Sequence, residues 1–157
     1  MAAPAATTRG TPSGLIMKDG YRCLITFASN PTIGLWEKTV KPPGFDGGDK
    51  IDITTMHNND LRTFEPRQLI TMTAGGATCG YDPGVMTAIL SLINREDTIT
   101  VRFTDGSTWA FFGFLKSFQP NDVSEGSMPE AQVEIEPTNK DSSDVEQLPV
   151  VVSVTGT

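Results

Sequence analysis

Histidine, cysteine and carboxylate side chains do most of the chemistry of proteins, and this chain spaces them too widely for it. His57 is the single histidine, so a histidine-based metal cluster cannot form within one chain. It stands in a polar loop, where a solvated side chain is expected. Cys23 and Cys79 are far apart and lack CxxC spacing, and they read as small apolar strand residues kept reduced. Asp46 and Asp49 flank Gly47-Gly48 without the ligand spacing of a calcium loop. Asp52 and Asp60 are a carboxylate pair that nothing else in the sequence singles out. No GxSxG, HExxH or glycine-rich phosphate cradle occurs. Catalysis needs convergent nucleophiles, bases or ligands. The expectation is a chain that is not an enzyme and holds no cofactor.

The chemistry that remains is that of contact. Residues 57–67, HNNDLRTFEPR, have no usable period and are polar except for Leu61 and Phe64. A loop of this length in a compact domain tends to be functional or mobile, and two such apolar residues are rarely left together in water. His57, Asn58, Asn59, Asp60, Leu61, Arg62, Thr63, Phe64 and Glu65, with Phe45 of the preceding loop, are therefore the candidates for a subunit interface.

Charge narrows the partners. Residues 1–118 carry 11 acidic and 11 basic side chains, whereas residues 119–157 carry 8 acidic side chains and Lys140 as their sole base. The body is neutral and the last quarter holds the whole net charge of −7. Without a basic patch, tight binding of nucleic acid through phosphate contacts is not expected. Met1 to Gly14 has no apolar signal-peptide core, and no run approaches a membrane span. The expectation is a soluble product made inside the cell.

The elements that must position these residues are mostly strands. Within 96–118, EDTITVRFTDGSTWAFFGFLKSF, the first half alternates with a period of two, and Asp105-Gly106 is a hairpin signal that lets both turn residues take positive φ. The second half sets Trp109, Phe111 and Leu115 on one face and Phe112, Phe114 and Phe118 on the other. A strand apolar on both sides must be covered on both, within a barrel or sandwich or by a neighbouring subunit. Residues 21–28 form a strand with Tyr21, Cys23, Ile25 and Phe27 on one face, and 34–41 a second with Trp36 and Val40 sharing a face. The loop 42–49 precedes a strand at 50–56. A fourth strand covers 68–73, with Gly75-Gly76 breaking it or leading to a short continuation through Cys79. Asp82-Pro83 opens the single convincing helix, whose stripe of Val85, Met86, Ile89, Leu92 and Ile93 must lie against a sheet. Residues 130–136 alternate with Glu134 and Glu136 outward. Residues 148–154 are an added strand, an arm on a neighbour or a free tail. The domain plan is a flexible arm at 1–14, a β domain at 15–137 and an acidic extension at 138–157, with 1–14 and 141–157 mobile in an isolated subunit.

The ordered set KIDITTMHNNDLRTFEP, a strand, a YDP-opened helix, ITVRFTDGSTWAFFGFLKSF and a short acidic strand resembles the major tail tube protein of long, non-contractile-tailed bacteriophages. The motifs are Asp52-Ile53-Thr54-Thr55 before a polar loop and Phe111-Phe112-Gly113-Phe114-Leu115 after the hairpin, and the likeness spans 21–136. It implies a mainly β fold, an antiparallel β-sandwich or barrel with one flanking α-helix. It further implies hexameric rings of the chain itself, joined into an inner β-barrel and stacked into a virion tail tube that passes DNA without specific binding. The tape-measure, tail-terminator and baseplate proteins are the further partners implied, with synthesis in the bacterial host cytoplasm and no membrane insertion. Wall carboxylates would keep DNA centred, which makes Glu134, Glu136, Asp122 and Glu125 lumen candidates; outer solvent is the other place for them. Two other readings stand beside this one. One is a different ring-forming protein of the same fold, in a secretion tube or at tail completion. The other is a monomeric β-sandwich that binds ligand on Trp36 or Trp109.

Overall fold

Alternating side chains and the need to pair backbone groups produce an antiparallel β architecture. In the computed structural model, which describes residues 19–31 and 35–152, the strands are β1 (Leu24–Phe27), β2 (Trp36–Lys41), β3 (Phe45–Asp46), β4 (Ile51–Asp52), β5 (Phe64–Glu65), β6 (Thr71–Met72) and β7 (Gly75–Gly80). A 3-10 turn (Pro83–Val85) leads into α1 (Met86–Leu92), followed by β8 (Asp97–Arg102), β9 (Thr108–Pro120), β10 (Glu130–Pro137) and β11 (Val150–Val152). The expected arm at 1–14 lies outside the described residues, as do 153–157. No helix among the described residues is long and apolar enough to cross a membrane.

The main sheet runs β1-β8-β9-β10-β7-β2, and β11 joins β9 beside its pairing with β10. Its two ends meet: β1 touches β2, and the Ile25 amide donates to the Glu37 carboxylate at 3.0 Å. The sheet is thus rolled, with a side chain and not a backbone ladder across its seam. Ile25, Phe27, Ala77, Cys79, Ile99, Val101, Phe111, Leu115, Ala131, Val133 and Ile135 are buried within the roll, together with Ile89 and Leu92 of α1. Asp82 caps the helical turn by accepting from the Gly84 amide at 2.9 Å, and α1 ends at an extended Ile93, with Asn94 following at φ 59°. Val85 and Met86 are only half-buried, so the helix presents a narrower stripe than its spacing predicts.

Two bulges overturn expected faces. Between β2 and β7 the register slips between Glu37 and Thr39, which turns Glu37 and Val40 inward and leaves Trp36 69 % exposed. Trp36 and Val40 therefore do not share a face. Between β9 and β10 the register slips at Glu134/Ile135, and Phe118 swings to the core side, where its ring lies 6.2 Å from that of Tyr81. Phe118 does not join Phe112 and Phe114. A bulge inserts one residue and reverses every side chain beyond it. At the β8–β9 hairpin Gly106 takes φ 88° but Asp105 does not take positive φ; its carboxylate instead accepts from the Ser107 amide at 2.9 Å and the Ser107 hydroxyl at 2.7 Å. Tyr21 is exposed and the first strand begins at Leu24.

Burial shapes the thiols. Cys79 is buried and Cys23 half-buried, and both are free. Desolvation, then the Glu37 carboxylate, pushes both thiols above their ordinary value. The long strand β7 contains the Gly75-Gly76 pair that reads as a break. A Cβ at Gly76 would overlap the carbonyl oxygen of Val133 on β10, so glycine there lets two backbones approach. Ile89→Ala is expected to destabilise the chain by about 2–5 kcal/mol, and Gly76→Ala by about 1–3 kcal/mol through overpacking. Urea unfolding of both variants measures this; an Ile89→Ala midpoint equal to that of the parent would show that α1 does not seal the roll.

Candidate assembly surfaces

Between β2 and β7 the chain leaves the roll and returns as a hairpin-like arm. The segments expected as loops at 42–49 and 57–67, and as a seven-residue strand at 50–56, are its two legs. β3 pairs with β6 at the base, and β4 pairs with β5 farther out. Each pair is two residues long, because glycines and prolines interrupt the legs. At the base Phe45 stacks on Trp109 of β9, with ring centroids 5.8 Å apart and planes at 29°. Residues 53–63 form the tip. Across it the Ile53 amide donates to the Thr63 carbonyl at 3.0 Å, and the Thr63 amide to the Thr54 hydroxyl at 3.0 Å. Asn58 ties the turn by accepting from the Thr55 amide at 3.0 Å and donating to the Leu61 carbonyl at 2.9 Å.

The interface candidates divide on this frame. Phe64 is not a loop residue: it pairs with Asp52, and the Lys50 ammonium lies 3.7 Å from its ring centroid. Leu61 is 79 % exposed and Met56 fully exposed. His57, Asn59, Asp60, Arg62, Thr63 and Glu65 are exposed around them, and Asn58 is half-buried in the turn. Farther down the return leg, Leu69 and Ile70 are exposed as well. Apolar side chains thus line the arm without being buried.

The acidic candidates lie elsewhere. Glu134 and Glu136 project from the outer face of β10, and the Lys116 ammonium sits between them at 3.2 and 3.8 Å. Beside Glu134, that face forms a shallow trough lined by Thr39, Thr78, Gln119 and Gln132 among others. Its carboxylates are partly neutralised, which the alternating pattern of 130–136 does not reveal. Asp122 and Glu125 are exposed in the loop 121–129, off the sheet. Among the described residues no group of three or more His, Cys, Asp or Glu side chains converges to hold a metal ion.

The extension is not a free tail as far as Val152. The Asn139 side chain accepts from the Met72 amide of β6 at 3.2 Å, and Lys140 pairs with Glu96 at 3.2 Å and with Asp144 at 2.6 Å. Those two carboxylates, Asp144 first, raise the Lys140 ammonium above its ordinary value. Val150–Val152 then add to β9, which selects the added strand among the three fates open to 148–154. Sequence reasoning also missed Glu37, the Phe45–Trp109 stack and the exposed Trp36, since nothing local marks a bulge or a long-range ring contact.

The sequence matches no protein-family model and no curated protein. Solved structures do match in fold. A chain of the anti-feeding prophage (AFP) baseplate, 6-fold symmetrised, superposes with a TM-score of 0.57 at 10 % identity, over 83 % of this chain and 90 % of that one. A chain of the sheath–tube complex of an extracellular contractile injection system, PVC, in the extended state, gives 0.58 at 15 % identity, over 93 % and 100 %. The fold is therefore of the tail-tube-like kind found in phage-like injection assemblies. These neighbours come from contractile systems and do not single out the non-contractile tail that the motif order resembles.

Asp52 gives the arm tip a sensitivity to acid. The Thr54 hydroxyl and amide, then Arg62, hold its carboxyl below the usual carboxylate range; the Thr54 amide lies at 2.9 Å and the Arg62 guanidinium at 3.3 Å. A depressed folded pKa contributes order that is complete above the unfolded pKa and is lost as pH falls through the folded value. Protection of the Thr54 amide, corrected for intrinsic exchange, is expected to hold at neutral pH and to collapse in acid below the carboxylate range. Asp52→Asn should lower that protection at neutral pH and flatten its pH dependence.

Proposed function

We propose that this chain is a structural subunit that assembles with itself into rings, hexameric by the resemblance, which stack into a tube acting as a conduit. The observation that carries this reading is the arm: an extended excursion whose apolar residues Met56, Leu61, Leu69 and Ile70 are left half-exposed or more by their own subunit. A monomer gains nothing from such an element, whereas a neighbour can bury it. The fold likeness to chains of a sheath–tube complex and of a sixfold baseplate supports the same reading. Within it, the order of motifs favours the tail tube of a non-contractile phage, with DNA as cargo and tape-measure, terminator and baseplate proteins at its ends. A baseplate ring or a contractile-type tube of the same fold is the reading beside it, favoured by the origin of the structural neighbours.

Negative-stain microscopy of the purified chain is expected to show rings or tubes; featureless monomers at high concentration would refute self-assembly. Deleting residues 58–63 should leave a folded, soluble subunit that no longer forms tubes. The outer face of β10 is assigned to the lumen in this reading. Glu134→Lys with Glu136→Lys would place two more cations beside Lys116. Tube length should be unchanged while DNA passage slows, more strongly at low salt, where the Debye length exceeds roughly 10 Å. Passage at the parental rate at low ionic strength would place those carboxylates outside the channel.

A further inference from the structure

The arm tip needs a seat, and the register of the sheet points to where one lies. β2 and β7 pair with Lys41 opposite Gly76 at one end and Trp36 opposite Gly80 at the other. The arm leaves at the Lys41 end. The Trp36 end is therefore the far end of the subunit, five residues or roughly 17 Å up the strand. Phe45 stacking on Trp109, near the start of β9, agrees, because β9 reaches the Gly80 end only at Pro120 through Ala131 of β10.

At that far end an apolar patch stands in solvent. Trp36 and Met128 are 69 % and 57 % exposed, and Val123, in the loop that carries Met128, is 67 % exposed. Trp36 and Met128 converge over Gly80: their Cβ and Cε lie 3.4 and 3.5 Å from the point where a Cβ of that residue would be. Glycine here leaves a flat floor beneath two large side chains. The loop that carries Val123 and Met128 is anchored, since the Tyr81 amide donates to the Pro129 carbonyl at 2.9 Å. Tryptophan and methionine in one exposed patch are typical of binding hot spots and adaptable contacts.

We infer that the Trp36–Met128 end is the seat for the arm tip of a second copy of this chain, with Leu61 and Met56 as the inserted residues. This rests on the self-assembly reading and specifies its stacking contact. A donor at one end and an acceptor at the other make a heterologous contact, which repeats without closing and builds a stack. Asp122 and Glu125 then border the stacking contact, whereas Glu134 faces the trough.

The test places a benzophenone photocrosslinker at position 61 of the full chain and maps the cross-linked peptides by mass spectrometry. Cross-links from position 61 of one copy to the segments around Trp36 or Met128 of another are expected. Trp36→Ala should raise the concentration needed for tubes by roughly tenfold or more. Its melting temperature should stay near the parental value, because the side chain is exposed. If tubes form but the cross-links map elsewhere, the seat is wrong and self-assembly stands. If the chain stays monomeric and no intermolecular cross-link forms, both fall. Tubes formed by Trp36→Ala at the parental concentration would also overturn the seat.

Discussion

Everything in this subunit hangs on the continuous pairing of one strand. β9 is thirteen residues long and is hydrogen-bonded to β8 along one edge and to β10 and β11 along the other. Its buried residues Phe111 and Leu115 lie at the centre of the core, Trp109 meets the base of the arm, and Leu115 receives the amide of Asn94 just after α1. A strand bound on both edges cannot slip without turning its whole apolar set outward. The roll, the helix seal and the direction in which the arm departs all take their positions from it.

The parts of this fold that could be read from sequence are those with local causes. Asp97–Arg102 alternates because one of its faces is buried, and it is a strand of that phase. Asp82-Pro83 and Asn94 are chemical start and stop signals, and the helix lies between them. The stretch from Thr108 announced itself by its aromatic content. What stayed hidden has distant causes. The bulges in β2 and at Lys116 arise from pairing with β7 and β10, and they reversed the faces of Trp36 and Phe118. The arm strands are two residues each, too short for any period to appear. The candidate interface at 57–65 was legible as unusual because Leu61 sits among polar neighbours. Its shape was not, and Phe64 proved to have a local partner in Lys50.

Several edges of the sheet are left open in the single chain. The seam between β1 and β2 is bridged by a carboxylate, and β11 presents three exposed valines along an outer edge. Edges of this kind invite pairing with another chain unless they are blunted. The valine strand lies beside the base of the arm, since it pairs with the same stretch of β9 whose Trp109 meets Phe45.

The pairing of β1 with β8 also orders events in time. Ile25 and Val101 are register partners separated by about half of the chain, and β1 has no backbone ladder other than the one with β8. During synthesis at about 5–20 residues per second, β1 leaves the ribosome several seconds before its partner exists. Through that interval its buried face, Ile25 and Phe27, has nothing to pack against. β1 therefore cannot take its place in the sheet until β8 has emerged.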